Sequence, residues 1–196
     1  MILRRNIFLL FAIFFVLLLT ACDQSGTPLP RGYFRIELPD KEYRAFDTIF
    51  PYSFSYPVYA RVIPDTRPNA EPYWADVYFP GFKAALHLSY KTINNEDQLF
   101  EYMEDDRNFI NRHIPKATGF NETIYTNEEA SVHGILYEIR GREAASPLQF
   151  FLTDSTNHYL RGSVYFNVTP NNDSLAPVIR FLSEDIRIMI ESLEWK

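Results

Sequence analysis

An α+β fold, an antiparallel β-sheet covered by two main α-helices, is what this sequence predicts, and three observations carry it. Short alternating or aromatic-rich runs separated by turn signals fill much of the chain from Trp74 to Asn167. Two longer stretches, after Asn94 and after Asp173, repeat apolar residues at helical spacing. Their order is a strand pair, a helix, an antiparallel meander and a C-terminal helix, which sets helices against an antiparallel sheet.

The first segment stands outside that fold. Arg4 and Arg5 precede an unbroken apolar run from Ile7 to Leu19, and Leu19-Thr20-Ala21-Cys22 follows. The run is shorter than the ~20 apolar residues that span a bilayer, so residues 1–21 read as a bacterial lipoprotein signal peptide. Small side chains at 20 and 21 suit a signal peptidase cutting after Ala21, and Cys22 supplies the thiol for lipidation. Residues 22–30 then form the lipidated cysteine and a short polar, proline-containing tether. A single α+β domain is expected over 31–196.

Within that domain, most of the 13 prolines fall between residues 27 and 80, so this half consists of short extended pieces and turns. Phe54 to Tyr56 and Val58 to Ile63 read as strand fragments, and Ile63 to Pro72 as a loop. Trp74 to Phe79 alternates, Pro80-Gly81 turns the chain, and Lys83 to Tyr90 returns as a partner strand. Asn94 or Asn95 caps a helix to about Arg112, whose apolar set is Leu99, Tyr102, Met103, Phe109, Ile110 and Ile114. Ser131 to Ile139, Leu148 to Thr153 and His158 to Asn167 make the meander. Asp173 or Ser174 caps the last helix, with Pro177 near its first turn. Leu175, Val178, Ile179, Leu182, Ile186, Met189, Ile190 and Leu193 form its apolar stripe. This element order is similar to that of the PsbP/Mog1-like sandwich, an analogy of fold that implies no function.

Composition excludes several functions. Net charge is −6, and losing Arg4 and Arg5 with the signal makes the mature chain more acidic still. With no basic cluster, nucleic acid is not an expected partner, and membrane attachment falls to the lipid on Cys22. Cys22 is the only cysteine, so once acylated it leaves no thiol for a disulfide, a nucleophile or a sulfur metal site. Packing alone must hold the domain, and its aromatic residues suit that task, mainly the 13 Tyr, since some of the 17 Phe lie in the signal.

Candidate chemistry is sparse. His87, His113, His133 and His158 show no tight metal-ligand spacing, so no metal and no cofactor is expected. His87 alternates with Leu86 and Leu88 and faces away from them, while His113 sits at a helix C-terminus where a cation is favoured. Asp154-Ser155-Thr156-Asn157-His158 groups a hydroxyl, an acid and an imidazole without G-x-S-x-G, and reads as a hairpin turn. Glu101, Glu104, Asp105, Asp106, Glu184, Asp185 and Glu191 read as solvated helix faces, not a glycosidase pair. No catalytic residue is assigned, and the chain is not expected to be an enzyme. Tyr52, Phe54, Tyr56, Tyr59, Tyr73, Trp74 and Tyr78 are either core or the lining of a glycan- or peptide-binding surface.

Four stretches carry a resemblance: PRGYFRIELPDKEYRAFD (30–47), PYSFSYPVYA (51–60), FLTDSTNHYLRGSVYFN (151–167) and NDSLAPVIRFLSEDIRIMIESLEW (172–195). With the lipobox, they resemble the gliding-motility lipoprotein GldD family of Bacteroidota over nearly the whole mature chain. The resemblance implies a membrane-anchored envelope protein of the gliding machinery, coupled to type IX secretion of adhesins, with other proteins of that machinery as partners. Taken with the lipobox and the absent catalytic constellation, the resemblance leads to the expectation of a non-enzymatic assembly or stability factor. Since no acidic cluster of the surface-export type follows Cys22, the domain is expected to face the periplasm. Only Cys22 carries over as a family site residue, the lipidated position.

Overall fold

The computed structural model of the protein describes residues 36–196. The expected signal peptide with its cleavage residue Ala21, the expected lipidation site Cys22, the expected tether and the first residues of the expected domain lie outside the described residues.

The described elements are β1 (Tyr43–Phe46), β2 (Tyr52–Pro57), β3 (Arg61–Pro64), β4 (Ala75–Phe79), β5 (Ala84–Thr92), α1 (Glu96–Asn111), β6 (Gly119–Asn127), β7 (Val132–Arg140), β8 (Leu148–Thr153), β9 (His158–Phe166), α2 (Asn172–Glu191) and β10 (Glu194–Trp195). Seven strands form one antiparallel sheet in the order β3-β4-β5-β9-β8-β7-β6, and β1-β2-β10 form a smaller one. The α+β class expected from the sequence is the one found.

The two faces of the large sheet bury different sets. On one side Leu86, Leu88, Leu136, Leu152, Leu160 and Val164 meet the apolar stripe of α2 and the aromatic residues of β2. Leu182 and Ile186 are buried there, each worth ~1.5–3 kcal/mol of transfer free energy. Ile93, Phe151 and Tyr159 cluster on the other side with Leu99 and Tyr102, bringing α1 against the sheet. Helices therefore lie on both faces.

Local chemistry explains the element ends. Asn95 caps α1 by accepting from the Gln98 N–H at 2.9 Å, as expected. The cap of α2 is Asn171, not Asp173 or Ser174, and it makes no side-chain cap bond. Instead the Asn172 amide donates to the Gly141 and Ala144 carbonyls at 2.8 and 2.9 Å, tying the helix start to the loop after β7. Pro177 lies inside α2. The expected strand from Val58 to Ile63 is broken, because the chain turns at Pro57, whose carbonyl accepts from the Ala60 N–H. Strands β1, β6 and β10 were not expected. The first and last are only four and two residues long, and β6 is a mostly polar edge.

Candidate functional site

The tyrosine-rich cluster is mainly core. Tyr52, Phe54 and Tyr56 are buried, and the rings of Phe46, Tyr52 and Phe54 stack or tilt against one another at 5.1–6.3 Å. The Tyr52 hydroxyl donates to the Tyr73 carbonyl at 2.7 Å, and the Trp74 indole N–H to that of Tyr90 at 3.0 Å. Tyr73 and Tyr78 remain exposed.

The segment from Asp154 to His158 is a hairpin turn. Asp154 Oδ1 accepts the backbone N–H groups of Thr156, Asn157 and His158 at 2.8–3.0 Å. These bonds hold its carboxyl down at about 2 against the opposing effect of burial. His158 pairs its Nδ1 with the Tyr90 hydroxyl and stacks on Trp195, so it does not serve as a base for Ser155.

Two of the seven helix carboxylates are buried, which corrects their reading as solvated faces. The first is Asp106 on α1. The Tyr159 hydroxyl donates to its Oδ2, and Arg161 Nε lies 3.0 Å from its Oδ1. Arg161 also covers the Phe109 ring at 4.0 Å, and Lys91 sits over Tyr102 at 4.5 Å. The adjoining cavity of about 210 Å³ reaches Glu71 and Trp74, but it is smaller than the usual ~300–1,000 Å³ of ligand pockets. Both carboxylate oxygens are taken by internal donors, so Asp106 pins α1 to β9.

Burial pushes the Asp106 carboxyl up to about 6, against the pull of Arg161 and the Tyr159 hydroxyl. The folded state then holds a proton that the unfolded chain releases between about pH 4 and 6, so stability falls as pH rises through that window. Asp106→Asn is expected to flatten this slope. Urea unfolding followed across that range checks it, and an unchanged slope contradicts it. Nearby, burial and Arg161 hold the His113 imidazole below its ordinary value. It favours the neutral form, not the cation expected at a helix end.

Asp185 on α2 is the second, at 1% exposure. Its Oδ1 accepts from Lys41 Nζ at 2.7 Å and the Tyr43 hydroxyl at 2.8 Å, and its Oδ2 accepts from the Tyr59 hydroxyl. Lys41 also donates to the Phe181 carbonyl at 2.7 Å and lies 3.6 Å over the Phe181 ring. Burial and Asp185 raise both tyrosine hydroxyls, which stay protonated as donors. This joint fastens the segment before β1 and the β2–β3 turn onto α2. Asp106 and Asp185 sit on helices packed to opposite faces of the sheet, so they do not flank one bond as a glycosidase pair does.

Strand pairing also assembles a polar row that the sequence does not reveal. Asp76, His87, Ser163 and Gln149 are successive cross-strand neighbours on β4, β5, β9 and β8. Asp76 Oδ1 meets His87 Nδ1 at 2.5 Å, the nitrogen an Asp–His–Ser relay would use. Ser163 Oγ, however, is buried and has no hydrogen-bond partner among the described residues, so His87 does not bind it. A nucleophile must be reached by its substrate, and this hydroxyl is not. Sequence spacing had missed Ser163, Gln149 and Asp76, whose proximity to His87 depends on the β4–β5–β9–β8 register.

No group of three metal-ligating side chains occurs among the described residues, nor any helix long and apolar enough to cross a membrane. No curated protein sequence matches the chain. The solution structure of the cyanobacterial PsbP protein CyanoP from Synechocystis sp. PCC 6803 is similar at 12% identity and a TM-score of 0.47, covering 81% of this chain and 95% of that one. The family model described as gliding motility lipoprotein GldD matches residues 23–195, from the residue after Cys22 through β10. All four stretches that carried the resemblance fall inside that span, and the chain belongs to the gliding motility lipoprotein GldD family.

Proposed function

We propose that this chain is a non-enzymatic assembly or stability factor for the envelope machinery of gliding motility and type IX secretion-linked adhesin export. Acyl chains on Cys22 hold it to the membrane, and its domain faces the periplasm. The observation that carries this reading is the family match across residues 23–195. It is supported by the way both inward aspartates are occupied by internal donors, which leaves them to pin helices in place. A glycan-binding reading has less support, since five of the seven aromatic residues that suggested it lie in the core or pack against it, and only Tyr73 and Tyr78 are exposed.

Deleting the gene should abolish colony spreading and surface display of adhesins. A deletion strain that glides and exports normally contradicts the reading. Cys22→Ala removes the acylated sulfur, and two or three acyl chains anchor where one would not. The variant should therefore leave the membrane fraction, and complete membrane retention would contradict lipid anchoring.

A further inference from the structure

Strand β6 ends the seven-stranded sheet. It pairs along all nine residues with β7, and among the described residues nothing pairs with its outer edge. An edge of this kind displays unused backbone N–H and C=O groups that template another strand. The opposite edge is blunted, because β3 has four residues and ends in Pro64. β6 contains neither proline nor lysine, and Ile124 near its middle is 76% exposed.

Two clefts adjoin the first four residues of this edge strand, Gly119–Glu122, on opposite faces. One, of about 690 Å³, lies toward α1, with Ile110, Phe120, Ile135 and Tyr137 as its apolar lining and the oppositely charged Arg107 and Glu122 also along it. The other, of about 530 Å³, lies toward α2 and includes Asn121, Arg140, Leu148, Ile179 and Arg180. Residues of β6 alternate between these faces, and so would those of a strand laid beside it. Beside Gly119–Glu122, successive side chains of such a strand would point toward the two clefts in turn. This is how strand addition reads sequence: main-chain bonds hold the segment and alternate pockets select it.

Charge narrows the occupant. In the α2-side cleft Glu138 is already bonded to Arg187 at 2.9 Å, and Glu184 lies 3.5 Å from Lys41. Arg140 and Arg180 make no ion pair among the described residues; Glu184 shares Lys41 with Asp185 and is only partly compensated, but the two guanidinium groups outnumber it and leave the balance positive. A second copy in antiparallel pairing would offer Asn121, Thr123 and Tyr125 on that face, with no acid among them.

We infer that the β6 edge and its two clefts form a docking slot for an extended segment of a partner polypeptide, bearing bulky apolar side chains toward α1 and acidic ones toward α2. The inference rests on the assembly-factor reading and names its partner's chemistry.

The test uses the full lipidated chain in detergent micelles and a peptide of alternating phenylalanine and glutamate, as long as β6. Saturable binding is expected, with exchange slowed about tenfold at the alternate amides of Gly119–Asn127 that point away from β7 and nowhere else in the sheet. Arg140→Glu combined with Arg180→Glu should weaken binding about tenfold, as should lysine for glutamate in the peptide. The surface change Ile124→Lys should have a similar effect while leaving the circular dichroism spectrum unchanged. No saturable binding, equal binding of the lysine peptide, or protection outside β6 overturns the proposal. So does a dimer whose β6 amides are protected without peptide, since the occupant is then a second copy. In cells, Ile124→Lys should fail to restore gliding to the deletion strain. Full restoration overturns the slot and leaves the assembly reading intact, whereas a deletion strain that still glides overturns the assembly reading itself.

Discussion

Replacing Gly134 with alanine should destabilise the domain by roughly 4 kcal/mol or more, a large share of the ~5–15 kcal/mol that holds a typical domain folded. Gly134 lies on β7 opposite Leu152 of β8. A Cβ at this position would fall far inside contact distance of the Phe151 carbonyl oxygen and would also meet the Leu152 side chain. The carbonyl is backbone, so relief requires moving β8, which is buried at all six of its residues. Moving β8 disturbs the central strands and the core on both faces. Soluble yield and thermal unfolding of the alanine variant check this, and a melting temperature within a few degrees of the parent would contradict it.

Asp185→Ala should cost about 3 kcal/mol. The loss is not that of one ion pair but of an acceptor shared by three donors. Lys41, Tyr43 and Tyr59 would be left facing a small apolar side chain, and part-buried donors without acceptors carry the desolvation penalty. Lys41 keeps 27% side-chain exposure and has Glu184 at 3.5 Å, so the loss falls at the low end for broken buried pairs. Tyr59→Phe removes only one donor and should cost about 1 kcal/mol. Denaturant unfolding of both variants separates these values. An Asp185→Ala variant as mild as Tyr59→Phe would show that the carboxylate does not organise the cluster.

How much could be read beforehand depended on whether the signal was local. Leu148 to Thr153 reads as a strand with the ends it has, because a short run rich in Leu and Phe between turn signals leaves few alternatives. The stripe of α2 and the Asn95 cap were legible for the same reason. β6 escaped because Asn121, Glu122 and Thr123 interrupt the apolar alternation, as suits a strand with only one neighbour. Asp185 did leave a trace, three residues after Leu182 and four before Met189, squarely on the apolar stripe. Its charge argues for solvent while its position argues for burial, and Asp106, four residues after Tyr102, poses the same conflict. The row from Asp76 to Gln149 left no trace at all. It exists only because β5 pairs with β9 across the intervening helix and meander.

The joint at Asp185 also sets where mechanical load enters. Tension transmitted along the polypeptide upstream of residue 36 reaches Lys41 before it reaches β1, and Lys41 is fastened to the middle of α2 through Phe181 and Asp185. Force is therefore passed to the long C-terminal helix first, and the β1–β2 ribbon is stretched only after that fastening yields. A body tugged repeatedly from one end resists peeling best when the pull is diverted into its longest rigid rod, and here a single ammonium group makes that diversion.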